Sequence, residues 1–205
     1  MGLWDSLLGR HKPVEANLDV LFAVPQAALT LQAGGGFTPL GTGAVCYRAN
    51  EGAAFSVTQT DVQALLDADG GPAVERSTDS YGFTWLLDRQ DPADLSGLVT
   101  ELHAVNTSLQ DNGFGSSLLC SLIGFTAPSG APLGLVYLYK RGTFYPFAPA
   151  GNQQRDNVLE LQVRGLIEGD LPVEPELGRW LGLWGPPASV EVAGGTPDTM
   201  ASCAS

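Results

Sequence analysis

The chain reads as an α+β domain, an antiparallel sheet of about five strands with helices packed mainly on one face. Three observations lead there. Short runs of strand-like residues recur through the chain, most clearly at 81–88 and 133–139, whose residues alternate with the period of a strand, and in the apolar run at 118–125. The connections between neighbouring strands are short, which favours antiparallel pairing. Helical periodicity is confined to a few stretches, so the order is helix, two strands, long helix, three strands, two helices.

Residues 1–12, MGLWDSLLGRHK, place Leu3, Trp4, Leu7 and Leu8 on one helical face, followed by Arg10 and Lys12. That pattern fits a membrane-contact helix with Trp at headgroup depth, or a short helix docked on its own domain. Residues 16–32 suggest a short helix before Pro25 and then a strand or second helix. Gly34, Gly35 and Gly36 follow. A phosphate cradle would need a strand before it, a helix after it and a nearby Lys or Ser/Thr; Phe37, Thr38 and Pro39 come instead, so a flexible turn is expected. Residues 44–48, AVCYR, form a short strand. Residues 60–68 form a short helix with Val62, Leu65 and Leu66 on one face, stopped by Asp69-Gly70-Gly71-Pro72. Strands are expected at 74–77 and 81–88. In the second, Tyr81, Phe83, Trp85 and Leu87 alternate with Gly82, Thr84 and Leu86.

The clearest helix spans 92–112. Asp91 is a suitable N-cap, Pro92 suits the first helical position, and Asp94 adds charge to the first turn. Leu95, Leu98, Val99, Leu102, Val105 and Leu109 recur along one stripe, with His103 just off it as a boundary residue. Residues 118–125 and 133–139 are expected to be hairpin neighbours. The stretch 133–149, LGLVYLYKRGTFYPFAP, continues with a Lys140-Arg141-Gly142 turn and a return through Thr143, Phe144 and Tyr145. Pro146 and Pro149 lack backbone donors and suit a sheet edge. A last long helix at 158–168 ends at Gly169, and a final helical turn from Pro175 carries Leu177, Trp180, Leu181 and Trp184. The expected organisation is an amphipathic segment at 1–12, a single domain at 13–185 and a disordered tail at 186–205.

A net charge of −12 argues against nucleic acid and against an anionic membrane surface, and favours a partner with a basic face. Cys46, Cys120 and Cys203 are odd in number, far apart and in no C-x-x-C pair, so neither a disulfide framework nor a zinc site is expected and a reducing, cytoplasmic location is. Two histidines do not supply a metal site, and no G-x-S-x-G elbow is present. His103 with Ser116, Ser117 or Ser121 could form a nucleophile and base only if the fold assembled them. The expectation is a protein without catalytic residues or cofactor. Lys140 and Arg141, with Phe144 and Tyr145, stand out as partner-binding candidates, because aromatic and Arg side chains dominate interface hot spots. A solvated turn with Arg stacked on an aromatic ring explains the same residues. An apolar groove between the long helix and the sheet, lined by Trp85, Tyr137 and Tyr145, would instead serve a small ligand or peptide.

Three stretches resemble the PspAB family, proteins associated with the phage-shock protein PspA. They are MGLWDSLLGRHKPVEANLDVLFAVPQAA; QTDVQALLDADGGP with DSYGFTWLLDRQDPADLSGLVTELHAVN; and GFGSSLLCSLIGF with LVYLYKRGTFYPFAP. The stretches fall between residues 1 and 149, and the resemblance they carry extends to about residue 184. The resemblance implies a cytosolic accessory or adaptor protein of envelope-stress systems in actinobacteria and some archaea, at most peripheral at the inner face of the cell membrane. It implies a link to PspA, a coiled-coil protein that coats stressed membranes, and to a membrane protease of the HtpX type. It implies no catalytic, metal or cofactor residues.

Overall fold

A computed structural model describes residues 16–49, 51–67 and 73–184. The membrane-contact candidates Leu3, Trp4, Leu7 and Leu8, and the tail at 186–205, lie outside the described residues.

Six strands form one sheet: β1 (Thr38–Arg48), β2 (Glu75–Thr78), β3 (Phe83–Arg89), β4 (Leu118–Thr126), β5 (Pro132–Leu138) and β6 (Thr143–Phe147). Their order is β2-β3-β1-β4-β5-β6, and every neighbouring pair is antiparallel. Four α-helices are described: α1 (Val24–Gly35), α2 (Ala53–Leu66), α3 (Leu95–Leu109) and α4 (Asn157–Ile167). All four contribute to a core on one sheet face, where Leu31, Phe55, Leu98, Leu102 and Val163 join Val45, Ile123, Leu135 and Tyr137. A smaller core on the other face contains Cys46, Trp85, Leu87, Cys120, Val136, Tyr145, Phe147 and Trp180. Each fully buried Leu, Val or Phe contributes about 1.5–3 kcal/mol. Because both faces are covered, Leu86 is as buried as Trp85 and Leu87, while Tyr81 precedes the strand and is exposed.

Several elements differ from the sequence pattern for local reasons. Leu18–Ala23 is a 3-10 segment that runs directly into α1, with Pro25 in the first turn, where its missing N–H is harmless. The glycine triplet is no flexible turn. Gly34 and Gly35 finish α1 beneath Leu166, and Gly36 adopts φ 68°, with its N–H donating to the Gln32 carbonyl at 2.9 Å. β1 therefore starts at Thr38, well before residue 44. Its first half contains a bulge at Gly41, φ 69°, whose carbonyl accepts from Gln90 N–H at 2.8 Å. α2 begins at Ala53 rather than 60. The cap of α3 is Asp94, not Asp91: Asp94 Oδ1 accepts from Gly97 N–H at 2.8 Å, while Asp91 Oδ1 accepts from Ala93 N–H at 2.8 Å and shapes the preceding turn. After Leu109 the chain widens into a π-type turn at Gln110–Phe114. The expected helical turn at 175–184 is only a 3-10 turn, Leu177–Arg179.

Candidate functional site

The aromatic-basic hairpin is built into the fold. At its tip the Arg141 and Gly142 N–H groups both donate to the Leu138 carbonyl, at 3.0 and 2.9 Å. The chain beyond α4 then returns along the β6 edge: Phe144 N–H donates to Pro172 O and Glu174 N–H donates to Phe144 O, each at 2.8 Å. Residues 172–174 thereby cover the edge that β6 would otherwise expose. This pairing carries Glu174 into a fully buried position, where its carboxylate accepts from Thr143 Oγ1 (2.9 Å), Arg179 (3.1 Å), Glu176 N–H (3.2 Å) and Arg141 Nε (3.4 Å). Burial acts to raise the Glu174 pKa, but the hydrogen bonds from Thr143, Arg179 and Glu176 N–H and the charge of Arg141 outweigh it and hold the group below its ordinary range.

The four partner-binding candidates consequently divide. Phe144 and Tyr145 are core side chains with no exposed surface, on opposite faces of β6, and cannot present themselves to a partner. Arg141 is tied to Glu174, and Lys140 stays exposed.

The arm at 172–184 continues over the second sheet face. Trp180 stacks on Tyr145 with ring centroids 6.0 Å apart, and its Nε1–H donates to Glu174 O at 3.0 Å. Tyr145 OH donates to Leu181 O at 2.9 Å, and burial pushes this phenol far up. Arg155 donates to the Trp180 carbonyl and, at 2.8 Å, to buried Glu160, with its guanidinium 5.5 Å from the Phe147 ring centre. Trp184 packs edge-on against the same ring at 5.2 Å.

The proposed groove between the long helix and the sheet is filled. Leu98 and Leu102 lie against Gly43 so closely that a Cβ there would sit 3.0 Å from both side chains. Tyr137 faces the helices and donates to Asn17 O at 2.9 Å, with burial pushing its pKa up to about 12. Trp85 and Tyr145 lie on the other side of the sheet. His103 packs on Phe22, ring centroids 4.7 Å apart, with its Nε2 3.4 Å from Asp19. Ser121 is buried elsewhere and accepts from Asn106 at 2.9 Å. Cys46 and Cys120 face each other across β1 and β4, buried and free. The hydrogen bond from Cys120 and burial push the Cys46 thiol far above its ordinary range. Among the described residues no group of three or more His, Cys, Asp or Glu could hold a metal ion.

An open site lies elsewhere, between α1 and the start of α3. Pro25, Ala28, Leu29 and Gln32 form one wall, Pro92, Ala93 and Ser96 the other, and Thr38, Pro39 and Leu95 complete a groove of about 480 Å³. Leu29 is 60% exposed within it. The two walls run in opposite chain directions, since Phe22 meets His103 at one end while Leu29 lies opposite Ala93 and Ser96. Asp91 and Asp94, both exposed, flank the Pro92-Ala93 wall, and the lining carries no charged side chain. Sequence pattern gave no sign of this groove, because prolines, alanines and one leucine carry no motif.

The class defined by these features is an α+β antiparallel-sheet domain with an open, apolar, acid-flanked groove. The chain belongs to the PspAB family: the model of PspA associated protein B matches residues 1–188. No curated protein and no solved structure matches it. Among the described residues no helix is long and apolar enough to cross a membrane.

Proposed function

We propose that this chain is a non-enzymatic adaptor that binds a PspA-like coiled-coil protein in the cytoplasm and tunes its activity in the envelope-stress response. Membership of the PspAB family over residues 1–188 carries the reading. The charge of −12 supports it, since an acidic surface steers toward a partner with basic faces. The groove beside α1 adds an apolar surface on which such a partner can rest. An HtpX-type membrane protease is the other partner implied by the family resemblance.

Co-purification with the PspA homologue of the same genome, at low and at moderate salt, tests the proposal. Co-elution that weakens as salt rises is the expected result. Clean separation at both salts contradicts it. A second reading, small-ligand binding, draws on the groove volume of about 480 Å³, which falls within the range of ligand pockets. Thermal stabilisation by a metabolite, with no partner bound, would favour that reading.

A further inference from the structure

We infer that the groove between α1 and the start of α3 seats one amphipathic helix of the partner, apolar face inward, with Lys or Arg on its flank against Asp91 and Asp94. The inference rests on the adaptor reading and adds the binding site and the chemistry of the bound segment.

The groove has the form of a helix-in-groove site. Its α1 wall, residues 25–32, covers about two helical turns, or roughly 12 Å, enough for apolar anchors spaced i, i+3 or i+4, and i+7. Leu29 is 60% exposed in the groove, while Phe22, in the preceding 3-10 segment, packs on His103 outside the lining. The walls are short or rigid, Pro25 and Ala28 facing Pro92 and Ala93, so a second backbone can approach closely.

Charge selects among possible occupants. The side chains flanking the Pro92-Ala93 wall are the carboxylates of Asp91 and Asp94, and Arg89, the nearest cation in sequence, is 3.2 Å from Glu75. A helix with a basic flank is favoured, an acidic one is repelled, and an anionic lipid surface is disfavoured by the same carboxylates and the net charge of −12.

The test uses the full chain and fluorescent peptides of about 20 residues, roughly 30 Å of helix, tiled across the PspA homologue of the same genome. Binding is followed by fluorescence anisotropy at low and high salt. A window with apolar i, i+3/i+4, i+7 spacing and flanking Lys or Arg binds the wild type. Leu29→Glu weakens that binding at least about tenfold, the loss typical of a buried apolar anchor. Ser96→Arg, which enters from the opposite wall, does the same. Both positions are exposed, so unfolding temperatures should match the wild type. Asp91→Asn with Asp94→Asn weakens binding about threefold at low salt and not at high salt, Asn being as good an N-cap as Asp.

Absence of any binding window, or binding unchanged in both Leu29→Glu and Ser96→Arg, overturns the inference. Capture of anionic vesicles that is lost in Leu29→Glu would assign the groove to lipid and also overturn it. The adaptor reading is separable. If intact PspA co-elutes equally with wild type and Leu29→Glu, the adaptor stands and the groove falls. If a peptide binds through the groove while intact PspA never co-elutes, the groove stands and the adaptor falls.

Discussion

Around the Lys140-Gly142 turn, the side chains that draw attention in the sequence are engaged within the molecule, except Lys140, which stays exposed. Arg141 reaches Glu174, Tyr145 lies beneath Trp180, and Phe144 is buried among the helices. Around the groove the reverse holds: prolines, alanines, Leu29 and Ser96, none conspicuous, leave about 480 Å³ open. The difference lies in partners distant in the chain. Glu174 is 33 residues from Arg141, and its burial turns a basic turn into an internal lock. The groove lies between two segments that meet at Phe22 and His103 and face each other across Leu29 and Ala93. Residue type alone suggests what a side chain can do, while the fold decides whether it is free to do it.

That contrast can be broken most forcefully at Glu174. Glu174→Ala removes the acceptor shared by Thr143, Arg141 and Arg179 and should lower stability by about 3 kcal/mol; the half-exposed arginines keep the loss below that of a fully buried network. Urea unfolding measures the change, and partner binding by the folded fraction should be unaltered. Loss of binding with stability intact would return the hairpin to the functional surface.

Gly41→Ala probes the groove side. A methyl group there, at φ 69°, would strike the Gln90 carbonyl and approach Pro92 N to 2.9 Å, displacing the loop that forms one wall. The expected cost is about 2 kcal/mol in urea unfolding, and here partner binding should also weaken.

Acid pH offers a milder probe of the lock. The Glu174 pKa is depressed in the folded state, so its stabilisation is fully present above the ordinary glutamate value, about 4.3, and is lost as pH falls through the folded value. The stability gap between wild type and Glu174→Gln should therefore be widest near neutrality and narrow as pH falls below the ordinary glutamate value. A gap independent of pH would show that the carboxylate charge has no part in holding the arm. The smallest effect belongs to Lys140→Glu, which should change stability by less than about 0.5 kcal/mol and leave partner affinity unaltered.

Much of the fold is legible in the sequence because it rests on local periodicity. The stripe from Leu95 to Leu109, the 118–126 and 132–138 hairpin and the edge role of Pro146 all follow from residue spacing and proline chemistry. The first half of β1 is not legible, since TPLGTG has no alternation and its pairing depends on the Gly41 bulge against Gln90. Nor is the end of α1, where three glycines read as a break yet serve close packing under Leu166 and a left-handed cap. Within the hairpin, the strand pattern of Phe144 and Tyr145 shows that they alternate, but not that both faces of the edge strand are covered. The groove escapes sequence reading because it is a space between elements and not a property of any one of them.

Amide hydrogen exchange of the full chain, alone and with saturating PspA homologue, tests the central claim most directly. Added protection is expected at residues 26–32 and 93–97, the two walls of the groove, with none at 139–143. Added protection centred on 139–143, with the groove walls unchanged, would contradict it.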